Sequence, residues 1–134
     1  MSERYFFRGK RLDNEKWMQG NLVYLDEEHV GIWTENAQSY IWIDPATIGQ
    51  CTGLKDKNGT LIFEGDVCRV KKAIFEIVYN DCGLYAKIKK NGSSRYGHEV
   101  VKTCYELIDE LCEKGLEIIG NIHESPELLK EAMT

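Results

Sequence analysis

The chain has 134 residues, 43% hydrophobic and 10% aromatic, with a formal net charge of −5 at pH 7. That length suits one domain or two small ones sharing a core, and the apolar content is too high for a disordered chain. The acidic balance argues against general nucleic-acid binding. No apolar run approaches the roughly 18 residues of a membrane span, and the start carries no secretory signal, so the chain reads as cytoplasmic.

The first third reads as β. Tyr5 and Phe7 alternate with Arg4, Phe6 and Arg8, and Leu22 and Tyr24 alternate with Asn21 and Val23. Tyr40-Ile41-Trp42-Ile43 is a short apolar run that Asp44-Pro45 stops, because proline cannot continue a ladder and restrains the residue before it. Asn58-Gly59 is a hairpin signal, since both residues tolerate positive φ. Glu64-Gly65-Asp66 reads as a tight bend feeding Val67-Cys68-Arg69-Val70. Two alternating runs follow, 74–79 and 84–89, joined by a turn at Asn80-Asp81-Cys82-Gly83, with another turn at Asn91-Gly92-Ser93-Ser94.

Cys104, Leu107, Ile108, Leu111 and Cys112 recur at helical spacing, and Thr103 with Glu106 fits a capping box, so a helix is expected near 103–114. Gly115 is placed to end it. Leu116 to Ile122 reads as a closing strand, and Ser125-Pro126 as the start of a short terminal helix with Leu128 and Leu129 inward. The expected fold is therefore mainly β, of the β-rich α+β kind. Residues 1–60 form an N-terminal β segment packed on a small, partly open barrel over 61–134, with one packing helix.

Five cysteines at 51, 68, 82, 104 and 112 include no C-x-x-C pair, so they read as small buried hydrophobes and not as metal ligands or disulfides. Trp17, Trp33 and Trp42 read as core. The three histidines, at 29, 98 and 123, have no metal-ligand spacing, and no phosphate loop or nucleophile elbow is present, so no cofactor or metal is expected. Glu64 and Asp66 with His123 or His98 are the residues an acid/base hydrolase would use. At a bend, however, such carboxylates ordinarily satisfy backbone N–H groups. The catalytic set is read as empty.

Charge is uneven. Residues 1–66 have a balance of −4, residues 67–95 of +5, and residues 96–134 of −6. The candidate binding face is therefore Arg69, Lys71, Lys72, Tyr85, Lys87 and Lys89, where basic side chains around one ring suit a phosphate track. A lysine-coated edge that keeps a sheet soluble is the competing reading. Opposed patches on one chain also fit self-association or docking to another protein.

Four stretches carry a resemblance. They are Ile43-Asp44-Pro45-Ala46-Thr47-Ile48-Gly49-Gln50, Thr52-Gly53-Leu54-Lys55-Asp56-Lys57-Asn58-Gly59, Phe63-Glu64-Gly65-Asp66, and the run from Ile118 through Asn121-Ile122-His123-Glu124 to Leu129. Together with Phe7-Arg8-Gly9-Lys10, Trp17 and Gly20, they resemble the YopX family, encoded by phages and prophages largely of Gram-positive bacteria. The resemblance implies an SH3-like barrel in the C-terminal part and offers no catalytic residue to carry over. Cys51 departs from it, standing where the family commonly has an aromatic residue. The expectation is a non-catalytic phage accessory protein that binds itself or a host or phage protein. A nucleic-acid-binding barrel using the 67–95 face is the first alternative, and a hydrolase the second.

Overall fold

The computed structural model describes residues 6–34, 39–80, 83–93, 99–125 and 127–128, with the backbone alone for Thr34, Asn80, 89–93 and 99–104. The chain divides into two units between Gly53 and Leu54.

In the first unit, β1 (Phe7–Lys10), β2 (Trp17–Tyr24), β3 (Val30–Thr34), β4 (Ser39–Ile43) and β5 (Gly49–Lys55, whose last two residues belong to the second unit) stand in the order β4-β3-β2-β1-β5. Their pairings are antiparallel. Alternation along β3 and β4 sends Val30, Ile32 and Ile43 inward, and Met18, Leu22 and Ile48 pack around them. Gly9 makes this core possible: a Cβ there would lie 2.6 Å from Ile43 Cδ1 and 3.2 Å from Ile43 Cβ. After β4, Asp44 caps a 3₁₀ turn over Pro45–Thr47 by accepting the Ala46 N–H. The buried Thr47 hydroxyl then accepts the Lys10 N–H at 2.8 Å and donates to Asp44 O at 2.7 Å. This turn returns the chain beside β1.

The second unit holds β6 (Leu61–Phe63), β7 (Asp66–Val70), β8 (Ala73–Asn80), β9 (Gly83–Ser93), β10 (Glu99–Glu106), α1 (Ile108–Glu113) and β11 (Glu117–Asn121). Five of these strands form an antiparallel sheet of order β10-β9-β8-β7-β11. One sheet face carries Cys68, Val70, Phe75, Ile77 and Ala86, which are buried under Ile108 and Leu111 of α1 and under Leu116. Burying each such aliphatic side chain contributes about 1.5–3 kcal/mol.

The architecture is mainly β with two antiparallel sheets, and three expectations are corrected. The five-stranded sheet is open, with β10 and β11 as its edges, so the C-terminal part is not a closed barrel. The helix spans Ile108–Glu113, not 103–114. Thr103 to Glu106 continue β10, opposite Lys89 to Ala86, because the β9 ladder takes their backbone groups. Leu107 is extended and makes no side-chain cap, so the capping box does not form, and Cys104 and Cys112 do not share a helix. Asn91, Gly92 and Ser93 are strand, paired with Val101, Val100 and Glu99, where a turn was expected. The expected turn at Asp81-Cys82, and also Tyr5, Ser94, Arg95, His98, Pro126 and Leu129, lie outside the described residues.

Ile77 is fully buried in this core, opposite Ala86. Ile77→Ala is expected to cost about 2–5 kcal/mol of unfolding free energy in urea denaturation, from lost transfer energy and the cavity left behind. Tyr79→Ala, two residues along on the exposed end of the same strand, is expected to change stability by less than about 0.5 kcal/mol.

Candidate functional site

Two places concentrate polar chemistry, and a third concentrates exposed apolar surface. The first lies where β11 meets the 56–60 hairpin. Asp56 is 7% exposed, yet its carboxylate accepts the N–H groups of Asn58 (2.9 Å), Thr60 (3.0 Å) and Ile118 (3.1 Å). Burial pushes its pKa up, and the three N–H bonds together outweigh that and hold it below the usual aspartate range. Beside it the Lys57 N–H donates to Leu116 O, and the Lys57 ammonium sits 2.7 Å from Glu117 Oε2. That bond holds the Glu117 carboxyl below its ordinary value.

The second place holds the hydrolase candidates. Gly65, at φ +92°, makes the bend between β6 and β7, a conformation that glycine adopts without strain. Its N–H donates to Ile77 O and its carbonyl accepts from Ile122, so the 64–66 bend abuts the turn after β11. Asp66 is buried, and its Oδ2 accepts the Phe63 N–H at 2.8 Å. In the facing turn Asn121 Oδ1 accepts from His123 and Glu124. Glu64 and His123 are half-buried. Glu64, Asp66 and His123 are thus neighbours through the backbone, with the Asp66 carboxylate committed to closing the bend. Among the described residues no group of three or more His, Cys, Asp or Glu is placed to hold a metal ion. Cys51 and Cys68 are buried thiols, and Cys112 is half-buried.

The predicted binding face runs across the outer side of β7, β8 and β9. Arg69 is exposed and pairs in register with Glu117, its guanidinium 4.0 Å from the carboxylate. Lys87 stands opposite Glu76, and Tyr85 packs edge-on against Tyr105 with centroids 6.4 Å apart. Acidic side chains therefore interleave with the basic ones. Lys71 and Lys72 stand apart from them, both exposed, as the two residues between paired Val70 and Ala73. The Lys89 side chain is not among those described.

The third place was missed in the sequence. Alternation along β4 turns Tyr40 and Trp42 to the outer face, where they are 43% and 42% exposed. Trp33 lies opposite Tyr40 with ring centroids 5.0 Å apart, and only Gly31 lies opposite Trp42. Trp33 and Trp42 are therefore surface residues and not core. Trp17 is half-buried under the Arg8 and Lys10 cations, 4.8 and 5.5 Å from its ring. A mostly apolar groove of about 460 Å³ runs along β4 between Leu12-Asp13 of the β1–β2 turn and Glu28-His29 of the β2–β3 turn. His29 meets the Trp42 ring edge-on at 6.1 Å, and its Nδ1 lies 2.8 Å from Asp26 Oδ1. The Glu28 N–H, followed by His29, holds the Asp26 carboxyl below its usual range. Asp13 is paired bidentately with Arg11.

The fold and these surfaces describe a two-unit β protein with an exposed aromatic groove and a hydrogen-bonded β11 junction. The chain belongs to the YopX protein family, whose model matches residues 6–130. Among solved structures it is similar to the crystal structure of protein EF1440 from Enterococcus faecalis. The two are 24% identical over 92% of this chain and 96% of that one, with a TM-score of 0.55. At that identity the likeness speaks for the fold alone. No curated protein matches the chain. No helix among the described residues is long and apolar enough to cross a membrane.

The Asp56 junction yields a test. Asp56→Asn is expected to cost about 1–3 kcal/mol, because buried N–H groups lose their carboxylate acceptor. The folded-state pKa of Asp56 is lowered, so its contribution is full above the unfolded value of about 3.9. It is lost as pH falls through the folded value. Urea melts of wild type and Asp56→Asn should differ at pH 6 and converge in strong acid.

Proposed function

We propose that the protein is a non-catalytic binding and assembly module whose working surface is the aromatic groove of the first unit. The observation that carries this reading is the pair of rings, Tyr40 and Trp42, held in water along a groove of about 460 Å³. Large apolar side chains exposed together around a concavity are unfavourable in a free monomer, and buried aromatic anchors dominate protein–protein contacts. The commitment of Asp66 and Asp56 to backbone N–H groups supports a structural and not a catalytic use of those carboxylates. The family supports an accessory role for a phage or prophage inside the host cell, and the open sheet capped by α1 supports an SH3-like derivation for the second unit. Partners are other copies of the chain or a host or phage protein.

Immobilised protein exposed to infected-cell lysate tests the reading. A partner retained by wild type should be lost by Trp42→Ala at unchanged melting temperature, and retention by both would end it.

The nucleic-acid reading has one observation in its favour, the exposed Lys71-Lys72 pair at the turn between β7 and β8. If it holds, retention on single- or double-stranded nucleic acid should fall steeply between about 50 and 200 mM salt, because each neutralised phosphate releases counterions. A flat response removes it.

A further inference from the structure

We infer that the groove along β4 receives the Lys71-Lys72 turn of a second copy, joining chains head to tail. This rests on the groove being a binding surface. Two independent features meet in it.

The first feature is the turn. With Val70 paired to Ala73, the whole connection between β7 and β8 is Lys71-Lys72. Lys71 adopts φ +54°, the left-handed region that glycine or asparagine fills without strain. A two-residue hairpin turn demands that conformation of a central residue, and it holds the lysine at an exposed tip. Lys72 beside it is equally exposed, so the turn presents two ammonium groups on flexible apolar stems.

The second feature is the groove. Its lining is mostly apolar and includes Tyr40 and Trp42, and Glu28 lines it as well. Asp13, which also lines it, is already paired with Arg11, so among the described residues Glu28, flanked by Asp26 and Glu27, supplies the uncompensated charge. A lysine stem lies favourably on apolar surface, and its ammonium is attracted both to an aromatic face and to a carboxylate. A volume of about 460 Å³ falls within the usual range for small-ligand sites.

Turn and groove are different surfaces of one chain, so the contact is heterologous. It propagates until it closes into a ring or continues as a filament.

Sedimentation velocity over a concentration series, at about 50 and 500 mM salt, tests the inference. Wild type should associate beyond the monomer, less so at high salt. The double variant Lys71→Glu/Lys72→Glu and the groove variant Trp42→Ala should each raise the association midpoint at least about tenfold, and Glu28→Lys should match Trp42→Ala. The decisive arm is the mixture. Lys71→Glu/Lys72→Glu keeps an intact groove and Trp42→Ala an intact turn, so an equimolar mixture should form a dimer and stop there. Wild type that stays monomeric at several hundred micromolar overturns the inference. So does a lysine variant that associates like wild type, or a mixture that stays monomeric. A monomer whose captured partner is still lost on Trp42→Ala would end this inference and leave the binding role standing.

Discussion

The second unit depends on one buried carboxylate. Asp56 gathers the N–H groups of Asn58, Thr60 and Ile118, two from its own hairpin and one from a strand 62 positions along the chain. Burying a charge without partners is costly, and a half-satisfied carboxylate would favour opening the hairpin. Three N–H donors make the buried anion favourable and fix the hairpin to the start of β11. The Lys57 N–H bond to Leu116 O extends the same seam, and Leu116 beside it is fully buried in the core. From β11 the ladder passes to β7, and the Asn121 turn then locks against the Gly65 bend.

The first unit is organised by an absence of side chain. Gly9 lets Ile43 reach the core, and once Ile43 points inward, strict alternation leaves Trp42 and Tyr40 no choice but to point outward. The exposed rings are thus a geometric consequence of the buried isoleucine, reinforced by Gly31 opposite Trp42.

Much of the fold was legible because strands and turns signal locally. The alternation in 74–79 and 84–89, the Asn58-Gly59 hairpin and the Glu64-Gly65-Asp66 bend lie where expected. The failures share a cause. Thr103 to Glu106 and Asn91-Gly92 carry local signals for a cap and a turn, but they lie on β10 and β9, and the ladder these two strands form with each other outweighs either. β3 escaped notice because Gly31 interrupts its apolar run. The basic residues were legible as a charge imbalance, while their acidic neighbours, Glu76 opposite Lys87 and Glu117 opposite Arg69, appear only once register is known. The groove was illegible, since it is assembled from segments near residues 12, 28 and 42 that a linear reading keeps apart. Tryptophan content alone pointed to a core, and only sheet alternation decides which face each ring takes.

The residues by which the chain is recognised spend their side chains on its own backbone: Asp44 and Thr47 on a 3₁₀ turn, Asp56 on a hairpin, Asp66 on a bend, Asn121 on a turn. Of the groove lining, only Ile43 belongs to those stretches. Kinship and the groove proposed for docking are therefore written on separate sets of positions. Under that proposal, two relatives could keep the same fingerprint intact and still dock with unrelated molecules, so what one of them grips would be no guide to what its cousin grips.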